Sequence, residues 1–253
     1  MTRIIAVANQ KGGVGKTTTV LNLGHVLANA GKRVLMIDLD PQASLTMWMG
    51  SDPYRVERSS YSLLMYPEMS LSRVLRPQNS FLALIPGSVD LAAAAIRMVQ
   101  EQYPLNHLRT VLRESRFTFD FVLIDTPPGL NVLTVAALVA ADEVIVPVQC
   151  NHAAMLGVRA VQDMIRRIQT GMGNPDLNLR GVLPTFFDTE SAYGARVLDE
   201  IRLLIAGQVF KTVIPYDVQV ADAPHLGKTV VDYAPQSSVA RAYRDAADEV
   251  LAG

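Results

Sequence analysis

The stretch KGGVGKTT, residues 11–18, lies between an apolar segment that ends at Ala8 and a segment with helical spacing that begins at Thr17. Glycines let backbone N–H groups surround phosphate oxygens because no Cβ is in the way, and the helix that follows directs the positive end of its dipole at the same anion. Lys16 is predicted to reach the β- and γ-phosphates, and the Thr17 hydroxyl to ligate Mg²⁺. We therefore predict a phosphate-binding loop formed by Lys11, Gly12, Gly13, Val14, Gly15, Lys16, Thr17 and Thr18.

Composition excludes several classes of protein. The chain has 253 residues, of which 49% are hydrophobic and 19% charged, so it can bury a sizeable core and is not disordered as a whole. The chain has 23 Lys and Arg and 24 Asp and Glu. Because these charges nearly cancel, any binding to nucleic acid or anionic lipid must use a local patch of cations. The single cysteine, Cys150, excludes an internal disulfide and a Cys-based zinc site and fits a reducing cytosol. With no run of about 18 apolar residues, no membrane span is expected.

Short β-branched apolar runs alternate with segments of helical spacing, a pattern typical of βαβ units and a mostly parallel sheet. We predict an α/β fold of the P-loop NTPase type, with a twisted sheet of about seven or eight strands flanked by helices. A single domain is expected over residues 1–253, with 51–79 as loops and short helices outside the sheet. The predicted strands are Ile4–Ala8, Val34–Ile37, Leu82–Ile85, Phe121–Ile124, Val144–Val148, Gly181–Leu183 and Thr212–Ile214, and the predicted helices are Thr17–Ala30, Val132–Ala140, Gly157–Ile168, Arg196–Ala206 and Val239–Leu251.

Three carboxylates follow predicted strands. Asp38 and Asp40 end the second strand with alternate spacing that is expected to point both to the same side, and Asp125 ends the strand Phe121–Ile124. Open α/β sheets bind ligands at this carboxyl edge. The strand that ends in Asp125 resembles a Walker B strand, and this resemblance implies that Asp125 lies near Mg²⁺. The alternative role for Asp40 is to cap the helix that follows Pro41.

With the loop and these strand ends, the sequence resembles the deviant Walker-box ATPases of the ParA/Soj and MinD group, whose loop reads Lys-Gly-Gly-x-Gly-Lys-Thr. The resemblance implies that Lys11 crosses the interface of an ATP-sandwiched dimer and touches the partner's nucleotide. It also implies that Asp40 positions or activates the attacking water and that Asp38 supports the magnesium and phosphate site. Catalysis would then rest on Lys11, Lys16 and Asp40, with ATP and Mg²⁺ as cofactors.

The resemblance covers roughly the whole chain. The strings APHLGK, residues 223–228, and YAPQS, residues 233–237, are typical of the ParA/Soj branch. The segment 212–217 resembles the one that borders adenine, although Pro215 and Asp217 fit a turn that ends a strand equally well.

Three arginines typical of chromosomal members are absent, since Tyr216, Gln219 and Glu190 stand at their positions. Such arginines belong to the DNA-facing surface and neutralise phosphates, so their absence argues against nonspecific DNA binding at that surface. Lys228, Arg241 and Arg244 are the cations that would form a local stripe in their place.

These features predict a cytoplasmic, nucleoid-associated ATPase. It would dimerise with ATP, bind nonspecific DNA, and position or segregate a plasmid, chromosome or organelle, with a ParB-like protein stimulating hydrolysis. A MinD-like membrane anchor is disfavoured because the C-terminal segment is acidic, and an iron protein sharing a cluster between subunits would need two cysteines. The alternative is a P-loop metabolic enzyme that couples ATP to a small-molecule substrate.

Overall fold

The computed structural model describes residues 2–114, 119–205 and 207–253. Within these residues seven strands form one sheet. The strands are β1 (Arg3–Val7), β2 (Val34–Asp38), β3 (Arg76–Pro77), β4 (Leu82–Ile85), β5 (Phe121–Asp125), β6 (Glu143–Val148) and β7 (Asn178–Pro184).

The strand order is β3-β4-β2-β5-β1-β6-β7. Every neighbouring pair is parallel except β3 with β4, which is antiparallel. In the register of β2 and β5, Asp38 lies opposite Asp125. The fold class is confirmed, and the parallel order brings the carboxyl ends of β1, β2 and β5 together at one edge.

Helices cover both faces of the sheet. They are α1 (Lys16–Asn29), α2 (Ser44–Trp48), α3 (Ser60–Met65), α4 (Leu71–Val74), α5 (Leu91–Gln100), α6 (His107–Glu114), α7 (Val132–Ala140), α8 (Ala154–Gly171), α9 (Ala192–Leu204), α10 (Gln219–His225), α11 (Val230–Tyr233) and α12 (Ser238–Ala252).

Successive residues of a strand pack into two hydrophobic cores, one on each face of the sheet. Leu35 and Ile37 pack on the side of α5, α7 and α8, whereas Val34 and Met36 pack on the side of α1 and α12. Side chains alternate across a sheet, so a strand covered on both faces must be apolar at every position. This is why β2 and β5 are continuous apolar runs that end in a carboxylate.

Six of the seven predicted strands are confirmed, but the strand predicted at Thr212–Ile214 is wrong. Val209 and Pro215, on either side of this segment, form isolated bridges with Val182 and Phe187, and within it the Ile214 N–H donates to the Pro184 carbonyl at 2.8 Å. The N–H groups of Lys211 and Thr212 donate to the Glu249 carboxylate, at 2.9 and 2.8 Å, instead of to β7. Pro215 has no N–H to donate.

The helix predictions agree with the structure in position. The largest differences lie at helix starts, because α8 begins at Ala154 and α9 at Ala192. Ala206, predicted as the last residue of the fourth helix, lies outside the described residues.

Residues 51–79 contain α3, α4 and loops, as predicted, but not wholly outside the sheet. Arg76–Pro77 forms the edge strand β3, in which Arg76 pairs with Leu84 and Pro77 with Ala83. An edge strand tolerates proline because one side of it needs no hydrogen bonds. The prediction is therefore wrong at these two residues.

Candidate active site

The phosphate loop joins β1 to α1 through left-handed glycines. Gly13 has φ 71° and Gly15 has φ 86°, and Gly15 is the N-cap of α1. A Cβ on Gly15 would lie 3.1 Å from the Phe186 ring, which is tighter than an ordinary contact. Gly15 is thus required both by its backbone conformation and by the packing of Phe186.

Groups outside the loop hold its carbonyl oxygens. The Thr185 hydroxyl donates to the Val14 carbonyl at 2.8 Å, and the Gln149 amide donates to the Gly13 carbonyl at 3.0 Å. With these oxygens engaged from outside, the N–H groups of the loop and of the first turn of α1 are the ones suited to bind an anion. Sequence reasoning missed Thr185 and Gln149 because only the fold brings β6 and β7 beside the loop.

The two lysines of the loop have opposite surroundings. Lys16 is 6% exposed, and its ammonium donates to the Lys11 carbonyl at 3.0 Å. Burial lowers the pKa of Lys16, although Asp125 and Asp40 act against that shift. Lys11 is exposed, and its N–H donates to the side-chain oxygen of Asn9 at 3.0 Å.

Asp125 is suited to a cation. It is fully buried, and neither carboxylate oxygen has a hydrogen bond of ordinary geometry among the described residues. Burial and the nearby Asp38 raise its pKa well above the usual value, while the Thr17 hydroxyl favours its charged form. A buried carboxylate beside the Thr17 hydroxyl, with no other donor among the described residues, fits the oxygen ligands that Mg²⁺ prefers. The residues predicted for the metal, Thr17 and Asp125, are therefore brought together.

Asp38 and Asp40 do not share one environment. Asp40 lines a cavity of about 280 Å³ with Lys16 and Thr17, whereas Asp38 is absent from the described lining. Burial raises the pKa of Asp40, and Lys16 lowers it. Burial also raises the pKa of Asp38, to about 6, against hydrogen bonds from Thr46. The expectation that both point to the same side stays a prediction, and since β2 ends at Asp38, strand alternation does not itself extend to Asp40.

The alternative role for Asp40, capping the helix after Pro41, is wrong because the N-cap of α2 is Ala43. The Asp40 Oδ1 instead accepts the Gln42 N–H at 2.9 Å within the turn, and the second oxygen remains for other partners.

A second cavity, of about 900 Å³, adjoins the first and shares Thr18, Trp48 and Phe186 with it. Aromatic side chains line it, including Phe187 and Tyr216, together with Asp217. Its described lining contains no Lys or Arg, so it suits a neutral base and ribose better than a further phosphate. Pro215 lies behind the described lining, bridged to Phe187, and the Asp217 Oδ1 accepts the Gln219 N–H at 2.9 Å.

Comparison with known proteins agrees with this geometry. The family described as "AAA domain" matches residues 2–179. The chain is 42% identical over 250 residues to the chromosome-partitioning ATPase Soj of Thermus thermophilus, covering 99% of this chain and 96% of that protein. It is 39% identical over 252 residues to the sporulation initiation inhibitor protein Soj of Bacillus subtilis, covering 100% and 99%.

The chain belongs to the ParA/Soj family of ATPases. Among solved structures, cobyrinic acid a,c-diamide synthase from Mycobacterium smegmatis with bound ADP and magnesium is 37% identical, with a TM-score of 0.85 and coverage of 99% of this chain and 94% of that one. ATPase activity and the choice of an adenine nucleotide with Mg²⁺ are thereby confirmed for this family and fold.

The three positions at which the resemblance leads us to expect arginine hold other residues in this chain. Tyr216 is 69% exposed at the mouth of the larger cavity, Glu190 is exposed, and Gln219 begins α10. None of them carries a positive charge. Two of the three other cations predicted for DNA binding, Arg241 and Arg244, donate to the carbonyls of Gln236 and Pro235 just before α12.

Proposed function

We propose that this chain is a DNA-tethered positioning ATPase. ATP builds a sandwich homodimer, the dimer binds DNA without sequence preference, and a ParB-like protein stimulates hydrolysis and release. Such a cycle positions or segregates a cargo, which is a plasmid, a chromosome or an organelle. The protein acts in the cytoplasm and is nucleoid-associated when it holds ATP.

The observation that carries the proposal is the contrast between Lys11 and Lys16. Lys16 is buried over its own loop, whereas the Lys11 side chain is exposed on a backbone fixed by Asn9. An exposed cation on a rigid loop beside the phosphate cavity suits the nucleotide of a second subunit better than its own. A charge supplied across an interface stabilises the transferring phosphoryl group as an arginine finger does.

The proposed chemistry follows from the residues of the cavity. Magnesium, when bound, neutralises charge on the β- and γ-phosphates, and Thr17 and Asp125 are the residues that would hold it. Lys16 binds the same phosphates after leaving the Lys11 carbonyl. Asp40 aligns the attacking water, and Asp38 supports the site from behind. Asp217, in the wall of the larger cavity, is the proposed contact for adenosine, with Pro215 behind it.

DNA binding is proposed at the end of the molecule that holds α11 and α12. Lys228 is exposed after α10, and Arg241 and Arg244 lie one turn apart on α12. Helices α10, α11 and α12 pack in succession, and we place these cations on one surface of the proposed dimer. Dimerisation doubles their number, which strengthens phosphate neutralisation without a basic chain overall.

The second candidate function is a metabolic enzyme. It is favoured by the 37% identity to the M. smegmatis protein whose structure is described as a synthase. The cavity of about 900 Å³ has room for a small substrate beside a nucleoside.

The first experiment measures binding to nonspecific duplex DNA with ATP, with ADP and without nucleotide, at about 50 and 200 mM salt. The proposal expects binding only with ATP, with affinity falling steeply as salt rises. ATP hydrolysis is followed in the same samples. Absence of DNA binding in every state, with hydrolysis that depends on a small carboxylic or amine substrate, would favour the metabolic enzyme.

A further inference from the structure

The Asp38 carboxylate is enclosed by donors from its own loop and α2. Its Oδ2 accepts the Thr46 hydroxyl at 2.6 Å and the Thr46 N–H at 2.9 Å, and its Oδ1 accepts the Asp40 N–H at 3.1 Å. The Ser60 hydroxyl donates to the Asp38 carbonyl at 2.6 Å. Asp38 and Thr46 are fully buried, so water does not compete for these bonds.

The Thr46 hydroxyl also joins Asp38 to the turn after β4. It accepts the Gly87 N–H at 2.7 Å while it donates to Asp38. A Cβ at Gly87 would lie 3.0 Å from the Asp38 Cγ, so this turn packs directly on the carboxylate. The hydroxyl therefore acts as donor and acceptor at once, which an isosteric methyl group cannot do.

We propose that Thr46 is a positioning residue for ATP hydrolysis. It fixes the Asp38 carboxylate, whose Oδ1 holds the backbone N–H of Asp40, and this chain of bonds sets the direction of the Asp40 carboxylate toward the attacking water. The inference rests on the proposed role of Asp40 and adds what holds Asp40 in place. Asp38 then acts through the protein backbone, as a support for Asp40.

The energetic reason is that hydrolysis tolerates only small errors in the positions of the reacting groups. A misplacement of about 1 Å at a reacting group lowers a rate by about a hundredfold, whereas substrate binding elsewhere in a site is unaffected. The Thr46 hydroxyl lies outside the described lining of the phosphate cavity. Its removal should therefore lower kcat and leave nucleotide affinity in place.

The experiment compares Thr46→Val, which removes the hydroxyl, with Thr46→Ser, which keeps it. In the full-length chain with duplex DNA, Thr46→Val should lower kcat by about tenfold or more, with KM for Mg-ATP and affinity for a nonhydrolysable ATP analogue within about twofold of wild type. Thr46→Ser should restore most of kcat. The control is Thr170→Val on α8, which removes a hydroxyl bonded to the Arg166 carbonyl at 2.9 Å and should leave kcat unchanged.

A second variant reaches Asp38 from the opposite side. Gly87→Ala introduces a methyl group against the Asp38 Cγ and should lower kcat in the same way. Its control is Gly171→Ala at the end of α8, where a Cβ meets open space and kcat should not change. Agreement between two substitutions from separate segments would exclude a local effect of α2 alone.

The results separate the inference from the proposed function. If Thr46→Val and Gly87→Ala retain wild-type kcat per nucleotide-binding site, the inference is overturned. It is also overturned if Thr46→Val loses folded protein but not kcat per site, which indicates a purely structural role. Asp40→Ala is measured in parallel, because wild-type turnover by that variant removes Asp40 from the mechanism and takes the inference with it.

Discussion

Lys16 forms a bond in this structure that nucleotide binding must replace. Its buried ammonium donates to the Lys11 carbonyl, and burial lowers its pKa. Phosphate oxygens offer a charge-assisted bond in place of a neutral carbonyl, so the exchange favours the nucleotide. When Lys16 moves to the phosphates, the Lys11 carbonyl loses its hydrogen-bond partner. Nucleotide binding therefore changes the hydrogen bonding of the backbone that carries the exposed Lys11 side chain.

At the residue scale, Lys11→Ala should leave ATP binding nearly intact and reduce hydrolysis. Loss of a cation that completes the charge clamp in trans is expected to lower kcat by about 10³-fold or more, as for an arginine finger. ATP-dependent dimers should also become less stable. The measurement is hydrolysis together with sedimentation in the presence of ATP. Normal hydrolysis by this variant would show that Lys11 does not act in trans.

A second residue-scale prediction concerns Asp40. Asp40→Ala removes the carboxylate that faces the cavity while the Asp38 bond to the backbone N–H of residue 40 remains. The variant should therefore bind ATP and accumulate as an ATP-bound dimer that hydrolyses slowly. Nucleotide content after gel filtration measures this. Rapid turnover to ADP would contradict the assignment.

At the element scale, α12 is anchored at its C-terminal end by cations and by its own acid. Arg3 pairs with both oxygens of Glu143, at 2.7 and 2.8 Å, and donates to the Val250 carbonyl at 2.5 Å. Arg180 donates to the Glu249 carbonyl. Cations at a helix C-terminus satisfy its last carbonyls and complement its dipole. The helix that carries Arg241 and Arg244 is thus fixed to β1, β6 and β7.

The Glu249 side chain supplies a pH-dependent part of this anchoring. Partial burial acts to raise its pKa, but hydrogen bonds from Thr212 and Lys211 outweigh it, so the folded pKa lies below the ordinary value of 4.5. A depressed pKa stabilises the fold above pH 4.5, and that stability is lost as pH falls through the folded pKa.

Glu249→Gln should therefore lower the free energy of unfolding by about 1 kcal/mol near pH 7. The difference from wild type should shrink as pH falls through the folded pKa of Glu249, which lies below 4.5, because the wild-type side chain then becomes neutral, as glutamine is. Urea unfolding at several pH values measures it, with Asp248→Asn, an exposed acid on the same helix, as the control. A difference that persists unchanged in acid would show that the charge is not what stabilises the segment.

The elements that can be predicted are those whose sequence pattern lies within the element itself. Buried parallel strands such as β2 and β5 are apolar at every position, and the loop glycines immediately precede α1. Residues 212–214 have the same apolar character, yet the Thr212 N–H donates to Glu249, 37 residues further along the chain, and the Ile214 N–H donates to the Pro184 carbonyl. No local pattern contains that information.

In the candidate site, too, some features can be predicted from local sequence and others cannot. The sequence places Lys16, Thr17 and Asp125 because each follows a recognisable strand or lies in the loop. It does not show that Asp38 bonds to Thr46, since that contact depends on α2 turning back over the end of β2. The sequence therefore predicts the residues of the site, while their division between cavity and support is visible only in the fold.

At the scale of the whole molecule, charge is nearly balanced, at a net value of −1. No helix among the described residues is long and apolar enough to cross a membrane. With no general attraction to DNA, binding must come from a local group of cations that acts in pairs across the proposed dimer. The three positions at which the resemblance leads us to expect arginine cannot supply it here, because they hold Tyr216, Gln219 and Glu190.

Charge reversal at Lys228, Arg241 and Arg244 should therefore weaken DNA binding of the ATP state by about tenfold or more and make its dependence on salt shallower, because fewer counterions are released. These side chains lie outside both described cavities, so hydrolysis without DNA should stay at the wild-type rate. Reversal of Arg159, Arg166 and Arg167, which are exposed on α8, makes the same change in net charge at another surface and serves as the control. DNA binding and its salt slope are measured for both variants beside wild type. Equal losses in the two variants would mean that total charge governs binding, whereas a loss confined to the α8 variant would move the DNA surface to that helix.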